Sequence, residues 1–309
     1  MLAGMPDIRP MLAQTWPTAF DDKDWLFELK WDGYRCLLYI GGSQAFLRSR
    51  NGRPLNQRFP GLESIVKCVR GHNFRNLIAD GEIVAFKDGR PDFSFLRANP
   101  DCAVYVAFDL LYFNDQPLFT VPLVDRRHKL SQVFTLNGLV YLSEAQEEMG
   151  RDLFEFAKGW DLEGIMAKRK HSLYFPGKRS RDWLKIKNLK EEDLWVVGYY
   201  PSPGRKIGSL LVAKEGAAPG LDSGDGPRRR NFVLMGRVSS GLDQSTEKTL
   251  TAAFGDPAPD KAVHFEGKLG EGELREVRWI EPFFGVRVQY TEITPEGRLR
   301  HPVLKEVIW

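Results

Sequence analysis

The chain contains 309 residues, 42% of them hydrophobic, and carries a formal net charge of +3, so it is long enough to bury two hydrophobic cores. It has no apolar stretch that could cross a bilayer and no signal peptide at residues 1–7, which predicts a cytoplasmic protein without a membrane partner. Its three cysteines, Cys36, Cys68 and Cys102, are too far apart in sequence to form a Cys-x-x-Cys motif for zinc. They are predicted to be reduced thiols.

The first half of the sequence alternates predicted strands with predicted helical segments. Short apolar runs predict strands at residues 25–29, 35–40, 77–86, 104–111, 164–168 and 183–187. Apolar residues at helical spacing predict helices at residues 60–70, 124–133 and 151–159. Because the strands return through hairpin-like links, the pattern indicates a mixed, largely antiparallel α+β domain over residues 1–189.

After a polar hinge at residues 188–193 the pattern becomes almost wholly β. Strands are predicted at residues 194–199, 209–214, 232–238, 275–280 and 286–292, with one helix at residues 244–254. Five strands and a helix are the composition of an OB-fold β-barrel, which is predicted for residues 190–309. A polar insert at residues 215–230 is predicted to be a loop. Its Arg228-Arg229-Arg230 run is a candidate contact for nucleic acid, with simple solvation as the alternative.

One lysine near the start of the chain has the surroundings of a nucleophile. Lys30 follows a predicted strand and lies between Glu28 and Asp32. Gly33 permits a tight turn or a close approach to a ligand, and Arg35 supplies a rigid fork of donors. A lysine attacks only as the neutral amine, so burial or neighbouring cations are required. The alternative is a surface lysine in a hairpin, because Asp-Gly is a common turn.

Two further lysines alternate along the predicted strand at residues 183–187. Lys185 and Lys187 are two positions apart, so their side chains share one face of the strand while Ile186 points into the core. Like charges on one face repel unless an anion lies between them, which indicates a phosphate site. Their positive field would also favour the neutral amine of Lys30. A solvated edge strand with protective lysines is the alternative.

These segments belong to a set of clusters that resembles a known enzyme family. In chain order the clusters are Lys30-Trp31-Asp32-Gly33-Tyr34-Arg35, Ser49-Arg50-Asn51-Gly52, Asp80-Gly81-Glu82, Phe108-Asp109-Leu110-Leu111, Glu163-Gly164-Ile165-Met166-Ala167-Lys168 and Trp183-Leu184-Lys185-Ile186-Lys187. From Pro10 to the C-terminus the sequence is similar to the covalent nucleotidyltransferase superfamily, most closely to the ATP-dependent DNA ligases. Among these it most resembles the ligase module of bacterial end-joining and accessory ligases.

The resemblance implies an adenylation domain followed by an OB-fold domain. The implied activity seals 5′-phosphate/3′-hydroxyl nicks or ends in DNA repair through a lysyl-AMP intermediate, with ATP and Mg²⁺ or Mn²⁺ as cofactors. The implied catalytic residues are Lys30, Asp32, Lys185 and Lys187.

The resemblance also implies individual contacts to the cofactors. Glu163 and Asp32 would hold the metal, in keeping with the preference of Mg²⁺ for one or two carboxylates plus phosphate oxygens. Glu82 would accept hydrogen bonds from the ribose hydroxyls, Glu28 would accept one from the adenine amino group, and Phe108 would stack on the purine. The remaining implied nucleotide or phosphate contacts are Lys30, Arg35, Arg50, Glu163, Lys185 and Lys187, with Arg50 on the terminal phosphate of the nick. For Glu82 and Phe108 the alternatives are a turn and a core side chain.

The charge distribution predicts a DNA-binding surface. Cations with few acidic residues among them gather in one short region: Lys168, Arg169, Lys170, Lys178, Arg179, Arg181, Lys185, Lys187 and Lys190. Tyr174, Phe175 and Trp183 interleave with these cations, a pattern typical of a surface that follows a phosphate backbone. The predicted partner is nicked or broken duplex DNA, bound by a nucleoid-associated monomer. A solvated basic face is the alternative.

Three other functions stay open from the sequence. An RNA ligase or a capping guanylyltransferase shares the nucleophile motif, although Glu28 suits an adenine amino group better than guanine. A DNA-binding scaffold without turnover is the second. The sequence ends at Glu306-Val307-Ile308-Trp309 where the family continues into an Arg-x-Asp-Lys-like segment, which leaves efficient self-adenylation open, with Arg298, Arg300 and Lys305 as the candidate substitutes. A purely structural OB protein is the third, and it leaves the ordered motifs unexplained.

Overall fold

The computed structural model describes residues 4–71, 74–216, 230–254, 264–267, 269–294 and 296–309. The chain divides into two compact units, Met1–Asn188 and Leu189–Trp309. Each unit buries apolar clusters of its own, as the chain length predicts.

The first unit contains thirteen strands and three α-helices among its described residues. The strands are β1 (Leu12–Thr15), β2 (Asp22–Leu29), β3 (Tyr34–Gly41), β4 (Gln44–Ser49), β5 (Asn76–Val84), β6 (Phe86–Lys87), β7 (Arg90–Pro91), β8 (Val104–Phe113), β9 (Gln116–Pro117), β10 (Val140–Leu142), β11 (Ala145–Glu148), β12 (Gly164–Arg169) and β13 (Arg179–Lys187). The helices are α1 (Phe93–Ala98), α2 (Leu123–Val133) and α3 (Gly150–Gly159), and two 3₁₀ helices cover Pro60–Cys68 and Pro100–Cys102.

Most strands of the first unit belong to two sheets. One has the order β1-β13-β12-β2-β11, and the other has the order β10-β8-β5-β3-β4 with β9 paired to β8. Among the described strands of this unit, parallel pairing occurs only between β1 and β13 and between β10 and β8. The predicted mixed, largely antiparallel α+β architecture is confirmed.

The segment predicted as a helix at residues 60–70 is a 3₁₀ helix, Pro60–Cys68. Its buried residues are Leu62, Ile65 and Cys68, which are three positions apart. Because a 3₁₀ helix has three residues per turn, this spacing places all three side chains on one side, against the core.

Strand register brings separate motifs together. Met166 of β12 lies opposite Glu28 of β2 on one side and opposite Lys185 of β13 on the other. In the second sheet, Arg35 of β3 pairs with Glu82 of β5. Residues far apart in sequence therefore meet across adjacent strands.

A buried ion pair attaches helix α2 to strand β8. Both Asp109 and Arg126 are fully buried. The Nε and Nη2 atoms of Arg126 each donate to one carboxylate oxygen of Asp109 at 2.7 Å, and Nη1 donates to the backbone oxygen of Ser172 at 3.1 Å. A buried charge is tolerated in a protein when it is paired and hydrogen-bonded in this way.

The second unit is dominated by β-structure. Its strands are β14 (Lys190–Ser202), β15 (Arg205–Glu215), β16 (Asn231–Val238), β17 (His264–Glu266), β18 (Arg278–Trp279), β19 (Gly285–Tyr290), β20 (Glu292–Ile293), β21 (Leu299–Arg300) and β22 (Val303–Ile308), and its helices are α4 (Gln244–Ala253) and α5 (Glu271–Glu276). The main sheet has the order β17-β16-β15-β14-β19-β22, with β18 paired to β14. One isolated bridge joins Ser240 to Val303, but the described strands do not close into a barrel.

One predicted strand of this unit is mostly wrong. Within the segment at residues 275–280, only Arg278–Trp279 is a strand, because the chain before it forms helix α5, Glu271–Glu276. The backbone N–H of Gly270 donates to Glu273 Oε2 at 3.0 Å, so a side chain satisfies a donor at the start of this helix.

Residues 217–229 of the predicted loop, which include Arg228 and Arg229, lie outside the described residues. Arg230 is described, and its guanidinium pairs with Glu215 and lies 4.2 Å from the ring centre of Trp195. None of the described helices is both long and apolar enough to span a membrane.

The Asp109–Arg126 pair generates a stability prediction. Arg126→Met leaves the Asp109 carboxylate buried without its partner, and we expect the free energy of unfolding to fall by about 3–5 kcal/mol. The matched control is Arg75→Met, which removes an exposed pair with Asp115 and should cost at most about 1 kcal/mol. Urea unfolding of the three proteins measures the difference. Equal losses in both variants would contradict the role given to burial.

Candidate active site

Lys30 lies at the end of strand β2 in contact with a carboxylate. Its backbone N–H donates to Gly164 O at 2.9 Å, and its Nζ forms a short ion pair with Glu163 Oε2. The side chains of Lys30 and Glu163 are each 20% exposed, so the pair is accessible from solvent. The predicted position of Lys30 at a strand end is therefore correct.

Two glycines permit this arrangement because no side chain fits at either position. A Cβ atom on Gly33 would lie 2.1 Å from Ile83 O, and one on Gly164 would lie 2.1 Å from Ile186 O. Gly164 also has a φ of +129°, a conformation that other residues rarely adopt. These close backbone contacts place Gly33, three residues after Lys30, against strand β5, and Gly164, directly after Glu163, against strand β13.

A cleft in the first unit begins at Lys30. Its lining consists of Leu12, Ala13, Glu28, Leu29, Lys30, Trp31, Arg35, Arg50, Glu82, Phe108, Met166, Lys168, Arg179, Trp183 and Lys185. Glu163 reaches this group through its contact with Lys30. Two predicted site residues, Asp32 and Lys187, are half-buried and are not part of the lining.

Glu28 forms the centre of a buried polar network at the cleft. Its carboxylate accepts hydrogen bonds from Lys168 Nζ at 2.9 and 3.0 Å, from Arg127 Nη1 at 2.7 Å and from Ser143 Oγ at 2.8 Å. Both oxygens are therefore engaged within the protein. An additional hydrogen bond from an adenine amino group would have to compete with these donors.

Three residues that were predicted to follow a DNA backbone are buried instead. Lys168 is 1% exposed, Tyr174 is 2% exposed and Trp183 is fully buried. Burial lowers the pKa of Lys168, and the charge of Glu28 opposes that shift. For Lys168 and Trp183 the prediction fails because strand alternation turns these side chains inward, where Glu28 compensates the ammonium charge. Tyr174 lies between strands β12 and β13, and its buried hydroxyl donates to Asp80.

Phe108 is 7% exposed and lies among cations and another aromatic ring. Lys168 Nζ lies 4.2 Å from the centre of its ring, the guanidinium carbon of Arg35 lies 4.9 Å from it, and the Trp183 ring meets it edge-on at 6.3 Å. Phe108 is thus a core side chain, the stated alternative, and at the same time a lining residue of the cleft.

Arg35 is fixed by a second buried carboxylate. Its Nε and Nη2 atoms each donate to Asp80 at 2.7 Å, and the hydroxyl of Tyr174 also donates to Asp80 at 2.7 Å. Most of the donor fork that the sequence suggested for a ligand is therefore directed at Asp80. Arg35 still lines the cleft and contributes positive charge there.

The carboxyl group of Glu82, which lines the cleft, has a raised pKa. Removal of water raises its pKa to about 8, although Arg35 and Lys30 act in the opposite direction. Near neutral pH this carboxyl group is mostly protonated, so it can donate as well as accept a hydrogen bond.

Cations gather around Lys185. Partial burial lowers its pKa, and the positive charges of Lys187, Lys30, Arg179 and Arg50 lower it further. The repulsion between like charges at such short range is reduced when an anion binds among them. The phosphate site predicted from Lys185 and Lys187 is thus consistent with the geometry, and Arg179 adds to it.

The residues present suit a metal that is shared with a ligand. No group of three or more His, Cys, Asp or Glu side chains that could hold a metal occurs in the described part of the chain. Mg²⁺ is commonly bound by one or two carboxylates together with phosphate oxygens. Glu163 and Asp32 fit that pattern, with Glu163 next to Lys30 and Asp32 two residues after it.

Sequence reasoning missed several residues of the site. Arg127 lies on helix α2 and Ser143 lies before strand β11, yet both contact Glu28. No local pattern marks either residue, since only the folded chain brings them to the cleft. Asp80 could have been found, because it opens the Asp80-Gly81-Glu82 cluster.

Two family models match the chain. One, described as an ATP dependent DNA ligase domain, matches residues 10–187, which is more than half of the chain. The other, described as an ATP dependent DNA ligase C terminal region, matches residues 203–307.

Individual proteins are similar over most of this chain. The chain is 30% identical over 301 residues to the multifunctional non-homologous end joining DNA repair protein LigD of Mycobacterium tuberculosis (strain ATCC 25618 / H37Rv). That match covers 95% of this chain but 37% of the relative, so the chain spans well under half of the relative's length.

Two solved structures are similar to this chain over almost its whole length. The ligase domain from M. tuberculosis LigD has a TM-score of 0.56 and 28% identity, over 97% of this chain and 94% of that chain. A mycobacterial DNA ligase D complexed with ATP and MES has the same TM-score, identity and coverage. The similarity confirms the predicted fold class, an α+β adenylation-type domain followed by an OB-fold domain.

The raised pKa of Glu82 generates a pH prediction. In the unfolded chain this carboxyl ionises near its ordinary value of 4.5, whereas in the folded chain it ionises near 8. Folded protein therefore binds the extra proton between these values, and stability should fall as pH rises from about 5 to about 8. The contribution of Glu82 has a slope of up to about 1.4 kcal/mol per pH unit.

Urea unfolding across this pH range measures the effect. Glu82→Gln should flatten the profile, while the exposed control Glu144→Gln should run parallel to the original protein. Parallel profiles for all three proteins would show that Glu82 titrates normally.

Proposed function

The chain belongs to the ATP-dependent DNA ligase family, and we propose that it seals 5′-phosphate/3′-hydroxyl nicks or ends in duplex DNA during repair. The observation that carries this proposal is Lys30, paired with Glu163 at a cleft whose lining includes Arg50, Arg179 and Lys185. In the proposed domain organisation, residues 1–189 form the adenylation domain and residues 190–309 form the OB-fold domain.

The first proposed step loads AMP onto Lys30. The amine nitrogen forms a bond to the α-phosphorus of ATP, the bond between that phosphorus and the bridging oxygen breaks, and pyrophosphate leaves. Because attack requires the neutral amine, the ion pair between Lys30 and Glu163 has to separate before the reaction. The cations around Lys185 would bind the phosphates and stabilise their growing charge.

Two further steps complete the proposed reaction. The AMP moves from Lys30 to the 5′-phosphate of the DNA, which restores the lysine. The 3′-hydroxyl then attacks that phosphate, forms the phosphodiester bond and releases AMP. Arg50, which is exposed and lines the cleft, would hold the terminal phosphate.

A divalent cation, Mg²⁺ or Mn²⁺, would be held by Glu163 and Asp32, where it would neutralise phosphate charge. Glu82 would bind the ribose, and the pocket wall at Phe108 would contact the base. Glu28 would orient this wall through Lys168 and Arg127.

Fewer residues are proposed to contact DNA than the basic run predicted from the sequence contains. Arg169, Lys178, Arg179 and Arg181 are exposed and would contact phosphates, whereas buried Lys168 is excluded from that surface. We propose that the chain binds the DNA as a monomer.

Loading of Lys30 is tested by intact mass. After incubation with ATP and Mg²⁺, the mass should rise by one adenylate, and Lys30→Ala should abolish the rise because the attacking nitrogen is absent. Lys158→Ala, on the exposed face of helix α3, is the control and should label normally. Labelling of the Lys30→Ala protein would refute the proposal.

The metal role of Glu163 is tested by titrating Mg²⁺ during loading. Glu163→Ala should raise the concentration needed for half-maximal labelling by about 10- to 100-fold, because a carboxylate that contacts the cation is lost. Removal of metal with EDTA should stop labelling of the original protein. If Glu163→Ala needs the same Mg²⁺ concentration as the original protein, Glu163 does not bind the metal and its role is the ion pair with Lys30.

A further inference from the structure

Three aromatic side chains form a strip that begins beside Lys30. We define this aromatic strip as Trp31, Phe86 and Tyr141. The ring centres of Trp31 and Phe86 are 6.3 Å apart, and those of Phe86 and Tyr141 are 6.0 Å apart, both in edge-to-face geometry. Phe86 is 36% exposed and Tyr141 is 41% exposed. Two large rings, Phe86 and Tyr141, are thus accessible to a ligand, and half-buried Trp31 connects them to Lys30, its neighbour in the chain.

The aromatic strip is built on fixed elements. The Trp31 indole N–H donates to Ser143 Oγ at 3.0 Å, which orients the ring at the wall of the cleft. Phe86 opens the β6–β7 hairpin, where it pairs with Pro91. Tyr141 occupies the middle of strand β10, next to buried Val140, so its ring points away from the core. Rings held in this way lose little conformational freedom when a ligand stacks on them.

The chemistry of the strip suits nucleobases. Bases stack on exposed aromatic side chains with a gain of about 1–3 kcal/mol per base, whatever the sequence, because every base has an aromatic face. An edge-to-face contact covers a face of only one of its two rings, and Phe86 and Tyr141 both keep exposed surface on which a base can stack.

We infer that the aromatic strip binds unpaired bases at a broken DNA end, so that a duplex with a short single-stranded overhang binds more tightly than a blunt duplex. Bases within an intact duplex are already stacked on their neighbours and do not offer a free face, whereas overhang bases do. The inference rests on the proposed function, because it places the DNA end at Lys30.

Binding is measured on the full chain with three fluorescent DNA duplexes at one salt concentration. Two of them carry a three-nucleotide overhang, one at the 3′ end and one at the 5′ end, with 2-aminopurine as the first unpaired base. The third duplex is blunt. The original protein should bind an overhang more tightly and quench the 2-aminopurine through stacking. The double substitution Phe86→Ala/Tyr141→Ala should weaken overhang binding by about tenfold or more and leave blunt-end binding unchanged.

Matched variants separate stacking from general damage. Phe86→Trp/Tyr141→Phe keeps the rings and should keep the overhang preference. Phe156→Ala removes a ring that is 48% exposed on helix α3, outside the strip, and should change neither affinity. Because Phe86 and Tyr141 are exposed, the double alanine variant should fold, and adenylate labelling with ATP should remain normal. If that variant fails to label, the comparison is made with Tyr141→Ala alone.

Two results would overturn the inference. One is an equal effect, or no effect, of the alanine substitutions on overhang and blunt duplexes. The other is a changed oligomeric state with unchanged overhang affinity, which would make the strip a protein contact. Failure of the proposed function is read separately, as the absence of adenylate on Lys30 or of nick sealing by the original protein. The binding comparison requires neither reaction.

Discussion

The first unit depends on one electrostatic constraint, which is that each of its fully buried carboxylates must meet opposite charge. Asp109 is neutralised by Arg126, and Asp80 by Arg35. Glu28 is neutralised by Lys168 together with Arg127. An unpaired charge in these positions would cost several kcal/mol, so strand register and helix placement are fixed by the pairs as much as by apolar packing.

This arrangement has a consequence for the cleft. Carboxylates fix the positions of Arg35 and Lys168. These two cations in turn lie against the rings of Phe108 and Trp183 and keep the rings in place. Other cations, among them Lys185 and Arg179, face the space beside Lys30. In the proposed function, the same unit would combine a wall for a nucleotide with a concentration of positive charge for its phosphates, which is what nucleotidyl transfer to an amine requires.

The sequence predicts the strands and most motif residues of this site because each motif lies within or directly next to a short apolar strand. It also predicts that Lys185 and Lys187 share a face, since alternation is a local property of strands. It does not predict that Lys168 and Trp183 are buried, because a basic run with aromatic residues looks the same whether its strand faces solvent or a partner such as Glu28. Arg127 and Ser143 could not be found, since their contacts depend on the packing of helix α2 and the chain before β11. Helix α5 was missed because its start is marked by the contact between the Gly270 N–H and Glu273, which lies before the strand-like pattern at residues 275–280.

Sealing by this chain requires that Lys30 carries AMP destined for DNA. The most direct test isolates the adenylated chain, removes free ATP and adds a duplex with one labelled nick. The account predicts a single turnover in which each lysyl-adenylate consumed gives one sealed nick and one released AMP. A chain that keeps its adenylate in the presence of nicked DNA, or that releases AMP without forming a phosphodiester bond, would contradict it.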